Sequence, residues 1–233
     1  VVGVLNSGKI AVGWTAKRNQ AKNPQDTVVE VKRLMGTKGK VRLGRNEYAP
    51  QEISAMILQE IRNLVLDELG EGEDITGAVI TCPAYFKEPQ REATNEAGKL
   101  AGLNVLRILN EPTAAAAAYG VTTKDSDEEN LFLVYDLGGG TFDVTVISML
   151  AGNLDVIGTG GDPQLGGGNF DDCIVDWRFE RLEAIPGYAE TLTDEKRAAL
   201  KLMLKLYAEE AKIKLCGPPA LEDFFRPTQD VAA

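Results

Sequence analysis

Apolar residues follow two rhythms along this chain. From Leu131 to Ser148, LFLVYDLGGGTFDVTVIS sets two runs rich in Val, Ile, Leu, Phe and Thr on either side of Gly138, Gly139 and Gly140, the pattern of two strands joined by a tight glycine turn. Val1 to Val12 repeats the pattern on a smaller scale, about a turn at Asn6, Ser7 and Gly8, and Asn153 to Gly158 reads as a third strand after the glycine hairpin. The second rhythm is helical. After Pro50, Ile53, Met56, Ile57, Ile61, Leu64 and Val65 fall on one stripe, and Gly70 stops the helix. A strand at Ile75 to Thr81, a helix at Pro89 to Ala101, a strand at Asn104 to Leu109 and a small-residue helix at Pro112 to Tyr119 follow in turn. Strand and helix alternate, so the pattern predicts an α/β layer. The alanines from Ala114 to Ala118 suit close packing rather than chemistry. Phe170 to Leu182 and Thr193 to Leu215 complete the helices, the last capped by Thr193 and striped by Leu200, Met203, Leu204, Tyr207 and Ala211. Between the two halves, the polar and acidic stretch from Val121 to Asn130 reads as a crossover between a first lobe, residues 1–122, and a second, residues 130–233.

Composition narrows what such a chain can do. Its 233 residues are 44% hydrophobic, enough for a buried core. Lys and Arg number 25 against 35 Asp and Glu, a formal charge of -10, and the cations are scattered, which disfavours nucleic acid as a partner. No apolar run is long enough to span a membrane, and the expectation is a soluble, cytoplasmic protein. The 3 cysteines lie far apart without a Cys-x-x-Cys, so they read as reduced and mostly buried thiols. Histidine is absent, which removes Ser-His-Asp and Cys-His catalysis together. Any chemistry runs on carboxylates, lysine and hydroxyls.

The glycine hairpin is where such chemistry concentrates. Asp136 closes its first strand and Asp143 lies just past the turn, bracketing glycines whose backbone N–H groups can approach an anion, with the Thr141 hydroxyl beside them. Magnesium needs only one or two carboxylates when phosphates supply its other ligands, so the stretch can cradle a phosphate and its metal; an ordinary glycine hairpin ended by acids has the same pattern. Elsewhere the residues are ambiguous. TAKRNQAKNPQDTVVEVKRLMG is polar, broken at Asn23 and Pro24, and extended from Thr27 to Val31, with Lys32 directly after. By spacing alone Lys32 is a solvated surface lysine, Pro83 a strand terminator, Glu111 a helix-start carboxylate, and Glu209 with Lys212 a helix-surface pair.

DLGGGTFD resembles the second phosphate-binding turn of the DnaK heat-shock-70 chaperone family, whose ATPase domain shares its fold with actin and sugar kinases. AVITCPAYFKEPQREAT, RILNEPTAAAAAYG, GTGGDPQLGGGNFDD and YAEEAKIKLC also resemble its motifs, and the short TKGKVRLGRNEY segment resembles the Gram-positive form. The resemblance implies an actin-like, ribonuclease-H-like α/β fold with two lobes around a nucleotide cleft. It implies ATP or ADP with magnesium as ligands, Lys32 and Thr141 on the γ-phosphate, Glu111 and Asp143 at the attacking water, and Asp136 holding magnesium through water, with Asp143 beside it. Gly138, Gly139, Gly140, Gly166 and Gly167 would approach the phosphates, Glu209 and Lys212 the ribose and base, and Pro83 and Arg91 would form an allosteric relay. Cys82, Gln164, Gly168, Asn169 and Cys216 depart from the family pattern, and Pro89, just before the helix carrying Arg91, can move that arginine. By the same resemblance a first phosphate-binding turn would precede Val1 and a Gly-Gly-x-Ser-Arg turn would lie beyond Leu215, so the chain reads as the middle of an ATPase domain. The implied partners are unfolded client polypeptides, held by a domain outside this chain, a J-domain co-chaperone and a nucleotide exchange factor. A small-metabolite kinase of the same fold and a non-catalytic chaperone relative are the other readings.

Overall fold

The first alternation folds into an antiparallel hairpin of β1 (Val2–Val4) and β2 (Ile10–Val12), with Val2 paired to Val12. A short helix, α1 (Trp14–Gln20), follows, and β3 (Thr27–Val28) joins the other edge of β1. The extended run expected through Val31 stops at Val28. Glu30 adopts a left-handed backbone at φ 53°, and Val31–Leu34 becomes a 3-10 turn carrying Lys32 and Arg33. Lys32 therefore sits on a tight turn, not at a strand end. The computed structural model describes residues 1–20, 22–118, 129–150 and 153–216; most of the expected crossover and the tail after Cys216 lie outside the described residues.

A second hairpin, β4 (Val41–Leu43) and β5 (Asn46–Tyr48), leads into α2 (Pro50–Leu69). Pro50 occupies the first turn, where its missing N–H is no loss, and the Glu52 carboxylate accepts the Ala49 N–H at 2.6 Å. Ile53 is fully buried among Val2, Val28, Val31 and Leu43, while Ala55 belongs to a second cluster with Met35, Cys82, Phe86 and Ala97. The start of α2 thus ties the hairpins to the layer that follows. Farther along the expected stripe, Ile61, Leu64 and Val65 are exposed.

That layer is a βαβ unit: β6 (Ala78–Cys82), α3 (Glu88–Leu100) and β7 (Val105–Asn110), the strands parallel with Cys82 beside Asn110. At Gly98 a Cβ would lie 2.5 Å from both Ile80 Cδ1 and Val105 Cγ2, so the helix reaches the sheet this closely only with glycine there. Pro89 does not break the helix that carries Arg91. It sits in the first turn of α3, and the Arg91 N–H donates to the Lys87 carbonyl at 3.1 Å as in a regular helix. α4 (Glu111–Ala118) starts where β7 ends; among its alanines Ala116 is buried, whereas Ala117 and Ala118 are exposed.

β8 (Asn130–Leu137), β9 (Phe142–Leu150) and β10 (Asn153–Asp162) form an antiparallel sheet with β9 in the middle. β10 runs past its expected end at Gly158, with an irregularity between Val156 and Gly158. Glycines that looked like loop therefore lie in a strand, and a Cβ on Gly161 would fall 2.1 Å from the Phe142 carbonyl oxygen. Asp143, Thr145, Ile147 and Met149 of β9 are buried. Pairing sets Asp136, Val134 and Phe132 of β8 on the same face, while Leu131, Leu133 and Tyr135 point to the other, exposed face.

Contacts divide the chain into two units, Val1–Leu165 and Gly166–Ala233. All elements above belong to the first, because α4 packs on β8 and the glycine-rich sheet stays with the preceding layer. The described part of the second unit is a helix pair, α5 (Gly167–Glu183) and α6 (Asp194–Cys216). Glu183 pairs with Arg197, Asp176 with Lys201 at 3.1 Å, Asp172 with Lys205 at 2.7 Å and Asp171 with Lys212 at 2.7 Å. Partners fall on one helix as they rise on the other, so the helices are antiparallel. Val175, Phe179 and Ala208 are buried, whereas Tyr207 and Met203 of the expected stripe are exposed, the smaller Ala208 facing inward instead. Of the three cysteines only Cys82 is buried; Cys173 and Cys216 are exposed, contrary to expectation.

Candidate functional site

The loop 138–141 is closed by the Gly138 N–H donating to the Thr141 carbonyl at 2.9 Å. None of Gly138, Gly139 and Gly140 has a left-handed φ. A Cβ would meet nothing within 4 Å at Gly139, and nothing nearer than 3.5 Å at Gly138 or 3.4 Å at Gly140. The fold itself leaves room for side chains here. Neither backbone conformation nor crowding therefore demands glycine at these three positions.

Around the turn, charges collect. Asp136 and Asp143 are direct cross-strand partners. Asp143 is only 8% exposed, and burial lifts its carboxyl above the usual range, with Glu111 and Asp136 adding to the rise and Lys32 opposing it. Lys32 Nζ donates to both oxygens of Glu111, at 2.9 and 3.2 Å. Four sequence-predicted residues, Lys32, Glu111, Asp136 and Asp143, thus share one electrostatic neighbourhood. Among the described residues no group of three or more acids or thiols has the geometry to enclose a metal ion. The acid pair instead suits a cation that keeps most of its water.

A cavity of about 210 Å³ opens beside them, lined by Lys32, Arg33, Tyr85, Phe86, Thr141 and Gln164 among others. It has room for phosphate groups rather than a whole nucleotide. Another cavity, about 630 Å³, lies along the two hairpins at Val4, Arg42 and Tyr48 and contains none of the predicted site residues. Burial raises the Tyr85 hydroxyl above its ordinary value, reinforced by Asp143 and Glu111 and eased by Arg33.

Pro83, fully buried after β6, and Arg91 are linked. The Phe86 N–H donates to the Pro83 carbonyl at 3.1 Å, Arg91 Nε donates to the Phe86 carbonyl at 3.1 Å, and Arg91 Nη2 donates to Asn110 Oδ1. Asn110 immediately precedes Glu111. In the second unit, Gly166 is the N-cap of α5 and its N–H donates to Asn169 Oδ1 at 2.9 Å. Lys212 Nζ donates to the Gly167 carbonyl at 2.9 Å and pairs with the buried Asp171, so the helix start and Lys212 are fixed to each other. Glu209 is half-buried one turn earlier on α6.

The family model described as Hsp70 protein matches residues 1–221. The chain belongs to the Hsp70 family. It is similar to the proteins named Chaperone protein DnaK of Thermotoga petrophila, Thermotoga maritima and Thermotoga neapolitana, 48% identical over 215 residues in each case. That stretch is 92% of this chain and 35% of each relative, so the chain spans about a third of their length. A metabolite kinase is not favoured by these likenesses. As in the family reading, the architecture is mixed α and β with several sheets.

Reading the Hsp70 sequence missed three residues the geometry brings forward: Arg33, Asn110 and Asp171. Arg33 Nη2 donates to the Gly140 carbonyl at 2.5 Å, and Nη1 pairs with Glu30 at 2.9 Å. Its one signal was adjacency to Lys32. Asn110 could have been noted as a polar residue ending a strand, and Asp171 as one of two acids beginning a helix.

Proposed function

We propose that this chain is the Mg-ATP-binding and ATP-hydrolysing part of a DnaK-type molecular chaperone, with the actin-like two-lobed plan, acting in the cytoplasm. Its nucleotide state would control the holding of unfolded polypeptides, with a J-domain co-chaperone and a nucleotide exchange factor as partners. The observation that carries this reading is a glycine turn with room for side chains but none present, flanked by the facing carboxylates of Asp136 and Asp143.

In this reading Lys32 transfers its ammonium from Glu111 to the γ-phosphate, where negative charge grows as the terminal bond breaks. The transfer frees Glu111 to orient the attacking water, and Asp143, whose carboxyl burial holds above the usual range, assists. Thr141 and the backbone of Gly138, Gly139 and Gly140 hold the phosphates. Asp136 would hold hydrated magnesium, which would supply charge neutralisation. In the second unit, Gly166 and Gly167 are assigned to phosphate, and Glu209 and Lys212 to ribose and base. Arg91, hydrogen-bonded next to Glu111, transmits the occupancy of the site toward Pro83. Phosphate release by the purified full-length protein, with and without magnesium, tests the proposal. Slow, magnesium-dependent turnover is expected; phosphorylation of a small metabolite in its place would overturn it.

A further inference from the structure

We infer that Arg33 is a positioning residue for the phosphate turn: its guanidinium clamps the Gly140–Thr141 peptide plane so that the Thr141 N–H is held toward the phosphates. The inference rests on the proposed reading of the site as an ATPase centre and names a residue that reading leaves without a role.

The geometry is specific. Arg33 Nη2 donates to the Gly140 carbonyl at 2.5 Å and lies 3.5 Å from the Gln164 carbonyl, while Nη1 of the same fork is held by Glu30 Oε2 at 2.9 Å. Glu30 is the one non-glycine residue among those described with a left-handed φ, at 53°, a conformation that costs free energy and recurs where side-chain placement matters. Strain is accepted at Glu30 in a place where it supports the arginine.

What the clamp controls follows from peptide geometry. A trans peptide is planar, so its carbonyl and its N–H point in opposite directions. The carbonyl of Gly140 and the N–H of Thr141 belong to one such plane, and glycine on its N-terminal side lets the plane turn over at little steric cost. Nothing else within 3.4 Å of the Gly140 Cβ position fills that space; the nearest atoms are Arg33 Nη2 at 3.4 Å, with Arg33 Nε and Glu30 Oε1 at 3.6 Å. Pulling the carbonyl toward Arg33 therefore directs the Thr141 N–H away from it. Thr141 and Arg33 both line the cavity of about 210 Å³, so the peptide that the clamp holds borders the space assigned to phosphate in the proposed reading. Arginine suits the task because its planar fork makes both bonds at once; the single ammonium of lysine does not.

The experiment compares Arg33→Lys, Arg33→Met and Lys32→Ala with the wild type in the full-length protein. Single-turnover ATP hydrolysis and ADP affinity are measured, and nitrogen relaxation dispersion is recorded at the Thr141 amide without nucleotide. Loss of a charge-assisted hydrogen bond predicts that hydrolysis in both Arg33 variants slows roughly 10- to 100-fold. ADP affinity should change less, and millisecond exchange should appear at Thr141 in both variants but not in the wild type. Wild-type hydrolysis in Arg33→Lys would leave only a charge effect and overturn the clamp, as would a silent Thr141 amide in Arg33→Met. If Lys32→Ala also hydrolyses normally, the ATPase reading itself fails; if Lys32→Ala is slow while the Arg33 variants are not, only the clamp fails.

Discussion

Asp136 stands directly opposite Asp143 across the β8–β9 ladder, on the sheet face that also carries the buried Thr145 and Ile147. Like charges in register repel, and only a cation or a proton relieves them. Asp136→Asn should therefore raise the melting temperature of the nucleotide-free protein slightly while weakening magnesium-dependent nucleotide binding about tenfold or more. Calorimetric titration with and without magnesium checks this; an unaltered magnesium dependence would remove the metal role.

Asp143 gives the same site a pH signature. Its folded pKa lies above the ordinary 3.8, so between those two values the folded chain binds more protons than the unfolded one. Its contribution to stability is then fully favourable below the ordinary value, declines as pH rises through the window, and stays at its lower level above the folded pKa. Asp143→Asn removes this decline. The melting-temperature gain of the variant should be smallest below about pH 3.8 and should grow as pH rises through the folded pKa. A gain independent of pH would contradict the assignment.

Lys32→Ala removes the cation that both faces the cavity and neutralises Glu111. Hydrolysis should slow by orders of magnitude while ATP binding stays within roughly tenfold, because the charge this lysine meets is greatest in the transition state. Rapid-quench single turnover separates the two quantities.

Two glycines should behave in opposite ways. Gly139→Ala meets nothing within 4 Å and needs no unusual backbone, so stability should hold or rise by about 0.4–1 kcal/mol while nucleotide affinity falls. Gly161→Ala sets a Cβ 2.1 Å from a backbone oxygen at φ 142° and should destabilise by about 1–3 kcal/mol. Urea unfolding combined with nucleotide titration distinguishes a site glycine from a fold glycine.

Much of this architecture was legible in the order of residues. The glycine hairpin, α2 and the βαβ unit could be read because strand and helix periods differ, and Pro50 and Gly70 mark the limits of α2. What stayed hidden depends on partners, not on periods. The stripe on α2 continues through Ile61 and Leu64, but periodicity defines a face without supplying anything to cover it. The break at Glu30 was illegible because a left-handed backbone at a glutamate has no local signal. For the same reason Lys32 and Arg33 looked alike in sequence, and only tertiary contacts send one to Glu111 and the other to Gly140.

The uneven burial of α2 sets a gradient of local opening along a single helix. Its first turns, held by Ile53 and Ala55 inside two apolar clusters, can exchange their amide hydrogens only when those clusters come apart. Its last turns, with Ile61, Leu64, Val65 and Leu69 exposed, can unwind from the Gly70 end without disturbing either cluster. Deuterium uptake should therefore advance from the carboxyl end of the helix toward Ile53, with protection rising at each turn as more buried surface must be released.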